Sequence, residues 1–468
     1  MKRTNTVRGF FVCLVSIGFY SDPASAAPGL LPSRIEQVSV DSRMQPNPSG
    51  QARVVFSEVI RIPDAPWVRA IFKEVRLDGD SYVRVVSRLD GEIQILDRRR
   101  LEEWQNTTAF FNGSTITIEL IAGKETIGNY LSVEYVLVGD PSGAVNDPDA
   151  AEGGVARVCE LIDTRAISID ARTARLLQVA LPNRNDPSSY PAGDAAGFIP
   201  FCTGFIIDEA PPDDPNDRCM LSAGHCFIAG VKPHNVSNVA QFEPIPFSQA
   251  NCNIRHPPVA KQFAINPASV RAANNGPGDD WAVFRCFKNA LTGKTVFQEQ
   301  GAAFALAAAH PVAGTAVRKF GYGANGNPQA GDNLPLDRHC VCHPGDVLAA
   351  FNATQQTSSG MITARVGSLV RHNVHDCGGD SGEPLVRTND DKVVAIGTHG
   401  NCANDAMGNP IPANSGTSIR NGNLQTAIAI SCRGAIPTVS TWGWITMMLV
   451  LLTGAKVCFG RNPRKVAA

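Results

Sequence analysis

A serine in a glycine-rich turn is the residue of this sequence that is best placed to do chemistry. Residues 375–386 read HDCGGDSGEPLV. One aspartate separates Ser381 from the two preceding glycines, and an apolar stretch follows shortly after it. Glycines let backbone N–H groups point outward beside the serine oxygen, where they can stabilise the negative charge that develops on an attacked carbonyl. A serine hydroxyl is a weak nucleophile by itself, so the chain must also supply a base.

Two upstream segments can supply the base and an acid to orient it. His225 ends the small-residue turn LSAGH, directly before a cysteine, and Asp280 enters the apolar strand DWAVF. Asp279 also precedes Trp281 and competes for the acid role. With either aspartate, the order along the chain is His, Asp, Ser.

This order and the three local contexts together resemble the chymotrypsin-like (trypsin-fold) serine peptidases. The resemblance makes Ser381 the nucleophile and His225 the general base and then the general acid. It makes Asp280 the orienting carboxylate, because an apolar strand with alanine as its second residue follows the acid in the family. The backbone N–H groups of Gly379 and Ser381 would form the oxyanion hole. The implied activity is that of a serine endopeptidase that acts on proteins or peptides and needs no cofactor.

Two other classes of protein were weighed against this prediction. An α/β-hydrolase requires Gly-x-Ser-x-Gly and the order Ser, acid, His, whereas Glu383 replaces the second glycine and His225 comes first. A non-catalytic adhesion or binding protein on the peptidase fold would have lost a triad member, and all three are present. The binding protein is kept as the alternative function.

The resemblance also assigns a substrate pocket, because the family sets its specificity with residues before the serine and with the strand that here reads GTHG. The pocket residues are His375, Asp376, Thr398, His399 and Gly400. Trypsin-like enzymes carry an acid where this chain has His375. A pocket histidine could favour acidic substrates, whereas Asp376 favours basic ones. We expect cleavage after a charged residue with a lean to basic ones, because Asp376 should stay ionised at neutral pH.

Cysteine usage is typical of an exported protein with disulfides. Of 13 cysteines, Cys13 and Cys458 lie in the terminal segments, which leaves 11 for the folded part. The resemblance implies two bridges, Cys202 with Cys226 and Cys377 with Cys402. The odd number leaves one thiol free, paired between chains, or assigned to the wrong segment.

The segment HCVCH at 339–343 has metal-ligand residue types, but side chains alternate between the two faces of a strand, so these residues cannot easily close on one ion. No His-Glu-x-x-His motif occurs in the sequence. We therefore predict no metal site.

The N-terminus has the pattern of a signal peptide. Three basic residues stand among the first eight, an apolar run follows at 9–20, and Ala24-Ser25-Ala26 forms a small-residue cleavage site. Residues 1–26 are predicted to be removed, and the protein is predicted to be exported.

The C-terminus resembles the IPTL-CTERM sorting signal of Gram-negative bacteria. The motif IPTVSTWG begins at Ile436, an apolar stretch runs to Ala455, and four basic residues follow. Residues 436–468 would then form a short transmembrane segment that attaches the chain transiently until a peptidase of the exosortase type cuts it. A simple tail anchor is the alternative, but the stretch falls below the roughly 20 residues that a span needs. The expected location is the cell envelope, its outer surface or the medium.

Between the ends, about 400 residues suffice for two domains. The formal net charge is −1 without a basic patch, so nucleic acid is not an expected partner. Residues 50–140 read as strands: Ile116, Ile118 and Leu120 alternate with polar residues, and Asp90-Gly91 marks a hairpin. The predicted fold class is all-β. A small antiparallel β-sandwich of jelly-roll type precedes a chymotrypsin-like double β-barrel at 172–433, and an apolar helix lies at the C-terminus.

Residues 141–171 are predicted to be a linker or pro-region, since they begin with a stretch rich in Pro, Gly, Ala and Asp. In the resembled family, a zymogen is often cut near this point, and the new terminal ammonium group pairs with the aspartate before the serine, Asp380 here. Arg175 is the candidate cut site, although the chain lacks Ile-Val-Gly-Gly. Trp67 and Trp104 are expected in the core.

Overall fold

The computed structural model describes residues 29–140, 165–178, 198–227, 237–242, 254–323, 353–400, 402–404 and 410–433. The predicted signal peptide, positions 141–164 of the predicted linker, the HCVCH segment and the predicted sorting signal with its apolar helix lie outside these residues. Within the described ranges, no helix is long and apolar enough to cross a membrane.

The N-terminal unit is built from antiparallel strands and one short helix. In chain order these are β1 (Gly29–Asp41), β2 (Gln45–Asn47), β3 (Arg53–Arg61), β4 (Trp67–Arg76), β5 (Tyr82–Ser87), β6 (Ile93–Leu96), α1 (Arg98–Glu103), β7 (Phe111–Asn112), β8 (Thr115–Ala122) and β9 (Thr126–Gly139). One sheet has the order β3-β8-β5-β6, and another runs β1-β9-β4-β7 with β2 on β9. Residues of both sheets share one hydrophobic core.

The strand pattern of the sequence accounts for this packing. Ile116, Ile118 and Leu120 on β8 are fully buried, as their alternation predicts. The hairpin between β5 and β6 turns at Gly91, whose φ of 75° suits glycine. Trp67 is buried in the same core.

The second part of the chain contains, among the described residues, two large groups of strands, a separate two-stranded sheet of β23 and β24, and two α-helices. They are β10 (Ala166–Ile167), β11 (Thr173–Gln178), β12 (Phe198–Ile206), β13 (Met220–Ser222), β14 (Ser237–Phe242), β15 (Gln262–Ala264), β16 (Arg271–Asn274), β17 (Asp280–Phe284), α2 (Val296–Gln300), β18 (Ala316–Gly321), β19 (Gln356–Val366), β20 (Leu369–His372), β21 (Pro384–Arg387), β22 (Lys392–His399), β23 (Cys402–Asn404), β24 (Pro410–Pro412), β25 (Asn414–Ser418) and α3 (Gly422–Cys432).

Each of the two large groups is antiparallel. Strands β15-β14-β11-β12-β13-β17-β16 are joined in that order, and an isolated bridge between Ile265 and Cys286 brings distant parts of this sheet together. Strands β19-β18-β21-β22-β25-β20 form a closed barrel, because β20 also pairs with β19. The expected all-β fold class is confirmed, with antiparallel sheets and a closed six-stranded barrel, while the apolar C-terminal helix of the same prediction lies outside the described residues.

Strand β1 joins the N-terminal sheets to the sheet that contains β11 to β17. Its first residues pair with β12, and the residues from Ser33 onward pair with β9. The sheet therefore includes residues before position 50, where the sandwich was predicted to begin. A disulfide between Cys219 and Cys432 fixes the end of α3 next to the start of β13.

The structure contradicts the proposed cut site at Arg175. This residue lies within β11, which is paired with β12 on one side and β14 on the other. Its guanidinium is buried and donates to Gln241 Oε1 at 2.7 Å and to the carbonyl of Ala353 at 2.9 Å. A protease cannot reach this peptide bond without opening the sheet, so the prediction is wrong for the folded chain. The arginine stands next to Leu176 and Leu177 in the sequence, which was the available signal of burial.

Candidate active site

The paired strands β13 and β17 position His225 and Asp280. His225 lies in a 3₁₀ turn, Gly224–Cys226, shortly after β13, and Asp280 is the first residue of β17. These strands pair in register, with Ser222 opposite Ala282. A Cβ on Gly224 would overlap the carbonyl oxygen of Ala273, so only glycine lets the histidine turn approach the neighbouring strand.

The carboxylate of Asp280 holds His225 at two points. Its Oδ2 lies 2.6 Å from Nδ1 of the imidazole, and its Oδ1 accepts the backbone N–H of His225 at 2.9 Å. Asp280 is fully buried, and Thr417 Oγ1 accepts its backbone N–H at 3.1 Å. Burial acts to raise the pKa of Asp280, but the charge and hydrogen bonds of His225 outweigh it and lower that pKa. The carboxylate is therefore ionised, which fixes the ring proton on Nδ1 and leaves Nε2 as the basic nitrogen.

Ser381 lies in a turn before β21 that depends on glycine at two positions. Gly379 has φ of 99° and Gly382 has φ of 93°. A Cβ on Gly379 would lie 2.7 Å from the carbonyl oxygen of Tyr322. The turn is fastened to β12, since Thr203 donates its N–H to the Ser381 carbonyl at 2.8 Å and its hydroxyl to the Gly379 carbonyl at 2.9 Å.

The turn leaves two backbone donors for a ligand. Within the described part of the chain, no hydrogen bond takes up the backbone N–H of Gly379 or of Ser381. Asp380, between them, donates its N–H to the carbonyl of Cys377 at 3.0 Å. Two donors on either side of Asp380 are thus available to a developing oxyanion.

The serine turn and the histidine turn are neighbours, but their reactive atoms are not bonded to each other. Cys226, next to His225, places its Sγ 3.9 Å from the carbonyl oxygen of Ser381. Among the described residues, neither Ser381 Oγ nor His225 Nε2 has a hydrogen-bond partner, and both atoms are buried. Catalytic hydrogen bonds are often loose without substrate and tighten in the complex.

Disulfides frame both turns. Cys202 on β12 is joined to Cys226, the pair that the resemblance implies. Cys377 is also disulfide-bonded, but the side chain of Cys402 lies outside the described residues, so that pairing stays a prediction. Cys286 is free and buried, which accounts for one odd thiol.

In the described part of the chain, Cys202, His225 and Cys226 form a cluster with metal-ligand atoms. The two sulfurs are bonded to each other and cannot act as thiolate ligands. The cluster therefore does not fit a metal ion.

A small cavity beside Ser381 brings together four of the five predicted pocket residues. Its lining includes Asp376, Thr398, His399 and Gly400. Its volume of about 10 Å³ is room for one water rather than for a substrate side chain. His375 is not in the lining. It is buried, and its carbonyl accepts a hydrogen bond from Ser358 at 2.8 Å.

The surroundings of Asp376 affect its charge, and those of His399 place it near Asp280. Burial raises the pKa of Asp376 to about 7, and the neighbouring Asp380 adds to the effect. The expectation that Asp376 stays ionised throughout the neutral range is therefore wrong. His399 lies beside His225 and Asp280, with its Nδ1 2.8 Å from Thr398 Oγ1 and 4.0 Å from Asp280 Oδ2.

The competing aspartate, Asp279, faces away from His225. Its carboxylate accepts hydrogen bonds from Trp281 Nε1 at 2.8 Å and from Asn275 at 2.9 Å. These and other amide donors lower the pKa of Asp279 against the effect of its partial burial. The choice of Asp280 over Asp279 thus agrees with the local geometry.

Sequence reasoning missed a buried ion cluster behind the serine. Lys319 on β18 contacts the carboxylates of Asp380 and Glu383, and all three side chains are buried. The available signal was weak, because Lys319 stands between Arg318 and Phe320 in β18. Glu383, which stands where the hydrolase motif has its second glycine, directs its carboxyl group toward Lys319.

The comparisons with known proteins add a likeness in structure. The sequence matches no protein-family model and no curated protein. One similar structure is a Glu endopeptidase in complex with MPD, with 14% identity and a TM-score of 0.35 over 57% of this chain and 96% of that chain. Another is a thermostable serine protease from an extremophilic microorganism, with 15% identity and a TM-score of 0.36 over 56% of this chain and 97% of that chain. The chemistry of the site must be inferred from its own geometry.

Proposed function

We propose that this protein is a serine endopeptidase of the trypsin-like type that hydrolyses peptide bonds through an acyl-enzyme. The observation that carries the proposal is the 2.6 Å contact between Asp280 and His225 beside a glycine turn that contains Ser381. A buried, ionised aspartate on Nδ1 is what a general-base histidine requires. The backbone N–H groups of Gly379 and Ser381 are available to stabilise the negative charge that develops on the attacked carbonyl oxygen.

The residues act in two half-reactions. Ser381 Oγ attacks the peptide carbonyl while its proton passes to Nε2 of His225, and the N–H groups of Gly379 and Ser381 stabilise the oxyanion. Collapse of this intermediate breaks the C–N bond, and His225 returns the proton to the departing amine. A water then attacks the ester with His225 again as base, which releases the acid and restores Ser381. Asp280 stabilises the imidazolium in both steps.

The same mechanism requires the site to adjust when substrate binds. Ser381 Oγ must come within hydrogen-bond reach of His225 Nε2, and the cavity at Asp376 must widen to admit a side chain. We propose that Asp376, Thr398, His399 and Gly400 form the substrate pocket and that proteins or peptides are the substrates.

The proposed place of action is outside the cytoplasm. The Cys202–Cys226 and Cys219–Cys432 bridges suit an oxidising compartment. The N-terminal pattern supports export, and the C-terminal resemblance supports transient membrane attachment followed by cleavage by an exosortase-type peptidase in a Gram-negative host. The proposed location is the envelope, its surface or the medium.

A fluorophosphonate probe tests the proposed activity directly. The purified wild type should be labelled on Ser381, as mapped by peptide mass spectrometry, and should cleave casein or a peptide library. Ser381→Ala should lose labelling and about three or more orders of magnitude in kcat/KM. Ser431→Ala, on helix α3 of the same unit, is the matched control and should retain both.

Absence of labelling on the folded wild type would favour the alternative, a non-catalytic adhesion or binding protein on this fold. Retained activity in Ser381→Ala would assign the nucleophile elsewhere.

A further inference from the structure

The ammonium group of Lys319 lies behind the serine turn, on the strand β18. Its side chain is fully buried and contacts Asp380 Oδ2, and its Nζ lies 3.0 Å from Glu383 Oε2. Burial alone would lower the pKa of Lys319, but the charges of Asp380 and Glu383 raise it above its ordinary value. A buried cation is therefore retained, shared between the carboxylates on either side of Ser381.

Asp380 transmits this contact to the backbone of the turn. The same Oδ2 that meets Lys319 accepts the N–H of Cys377 at 2.9 Å. The backbone N–H of Glu383 donates to the carbonyl of Asp380 at 2.8 Å. These bonds define the path of the chain through Gly379 and Ser381, whose N–H groups form the proposed oxyanion hole.

The approach of β18 to the turn is close enough to demand glycine. A Cβ on Gly321 would overlap Asp380 Oδ1 and lie 2.9 Å from Glu383 Oε2. A Cβ on Gly323 would lie 2.6 Å from Asp380 Oδ2 and 2.8 Å from a guanidinium nitrogen of Arg165. The segment is thus shaped to bring cations against Asp380.

Five titratable or charged groups interact electrostatically with Lys319. They come from β20, the serine turn and the segment before β10. They are His372, Asp376, Asp380, Glu383 and Arg165. Burial lowers the pKa of His372 to about 3, so this ring is neutral. Burial, countered by Lys319, leaves the pKa of Glu383 well above its usual range. Removal of Lys319 would leave adjacent buried carboxyls with less positive charge to balance them.

We infer that Lys319 is a positioning residue that holds the serine turn in its working shape through Asp380 in the uncut chain. The inference rests on the proposed peptidase function. The ammonium group of Lys319 already pairs with the carboxylate of Asp380. A new N-terminal ammonium group is therefore not needed there, and the bond after Arg175 can remain intact in the active protein.

The test replaces the cation and measures both catalysis and the shape of the turn. Lys319→Met should fold, as judged by circular dichroism, and should lose at least about 100-fold in kcat/KM, mostly in kcat, with a similar loss in fluorophosphonate rate. Amide hydrogen exchange of residues 377–383 should accelerate. Lys319→Arg, which keeps the charge, should recover at least part of the loss. Lys261→Met breaks the lysine–glutamate pair with Glu299 and should leave all readouts unchanged.

The pH profile separates positioning from a general packing defect. Burial raises the pKa of Asp376 and Glu383, and Lys319 opposes that effect, so in Lys319→Met their ionisation lacks its main counter-charge and activity should fall as pH rises beyond neutrality. The wild type should show no such loss in that range. A packing defect would lower activity by the same factor at every pH.

A second variant covers the case in which Lys319→Met does not fold. Lys319→Met/Glu383→Gln removes the surplus carboxylate along with the cation and should fold but remain at least about 100-fold impaired. A folded variant of either kind with wild-type kcat/KM and unchanged exchange at 377–383 would overturn the inference. An active wild type found only with the chain cut between residues 165 and 178 would also overturn it.

The hydrogen-exchange comparison also tells this inference apart from the proposed function. If the wild type neither cleaves peptides nor reacts with the probe, the peptidase proposal fails, while exchange at 377–383 still reports whether Lys319 holds the turn.

Discussion

Asp280 forms hydrogen bonds to His225 through both carboxylate oxygens. Oδ2 lies 2.6 Å from the ring Nδ1, and Oδ1 accepts the backbone N–H at 2.9 Å. The second contact fixes where the histidine turn lies, and the first fixes which ring nitrogen carries the proton. Orientation and basicity of the imidazole therefore depend on a single buried side chain.

The first prediction follows from this pair. Asp280→Asn presents an amide in place of one oxygen and favours the wrong tautomer, so kcat should fall by roughly 10³–10⁴-fold while the fold persists. Steady-state kinetics with a peptide substrate and a thermal melt measure the two effects. Asp279→Asn, which alters the neighbouring carboxylate that faces Trp281, is the control and should change kcat less than about threefold. Equal losses in both variants would contradict the assignment.

The sequence predicted the fold class and the turns and strands around His225, Asp280 and Ser381, because short sequence patterns determine both. Alternation on β8 and the Asp90-Gly91 turn come from side-chain periodicity and backbone freedom, which are local properties. The glycines around Ser381 likewise predict a turn with positive φ. Local chemistry of this kind can be read without knowing the tertiary structure.

The remaining features depend on which distant residues meet. Lys319 and Asp380 are separated by 61 positions in the sequence. No local pattern around either residue predicts that the two side chains meet. The burial of Arg175 follows from the pairing of β11 with β14 and from the carbonyl of Ala353. The pKa of Asp376 depends on burial and on Asp380, and composition alone shows neither. Long-range contacts of this type had to come from the structure.

Disulfide mapping is the second prediction. Unreduced peptide mass spectrometry should find Cys202 linked to Cys226, Cys219 linked to Cys432, and Cys377 in a bridge that we expect to involve Cys402. Cys286 should stay unmodified by thiol reagents until the protein is denatured, because burial also raises its pKa and suppresses the thiolate. Another partner for Cys226 would contradict the arrangement of the histidine turn.

The third prediction concerns stability and pH. The folded-state pKa of Asp376 is raised to about 7, so the folded protein binds its proton more tightly than the unfolded chain does. This stabilisation is complete below the ordinary carboxyl pKa of about 4 and is lost as pH rises through about 7. Asp376→Asn mimics the protonated form and should flatten the decline in the free energy of unfolding between pH 5 and 8, with a gain at pH 8 of at most about 4 kcal/mol. Denaturant titrations at several pH values measure it.

Asp390→Asn is the matched control, because that aspartate lies at the surface and pairs with Arg387. The variant should not reproduce the flattening. A slope that is identical in wild type and Asp376→Asn would show that Asp376 titrates at its ordinary pKa.

The last prediction is the specificity of the pocket. Asp376 lines the cavity beside Ser381 and becomes an anion only as pH rises through about 7, whereas Thr398 in the same cavity does not titrate there. Preference for Lys or Arg before the cut bond should therefore strengthen between pH 6 and pH 8.5, since one buried charge can separate substrates of opposite sign by a few kcal/mol. A peptide-library profile at both pH values measures this. Asp376→Asn should abolish the pH-dependent part while leaving the fluorophosphonate rate of Ser381 within about threefold of wild type. Preference for Phe, Tyr or Leu at both pH values would exclude a charged pocket, and preference for Glu would transfer the decisive role to His399.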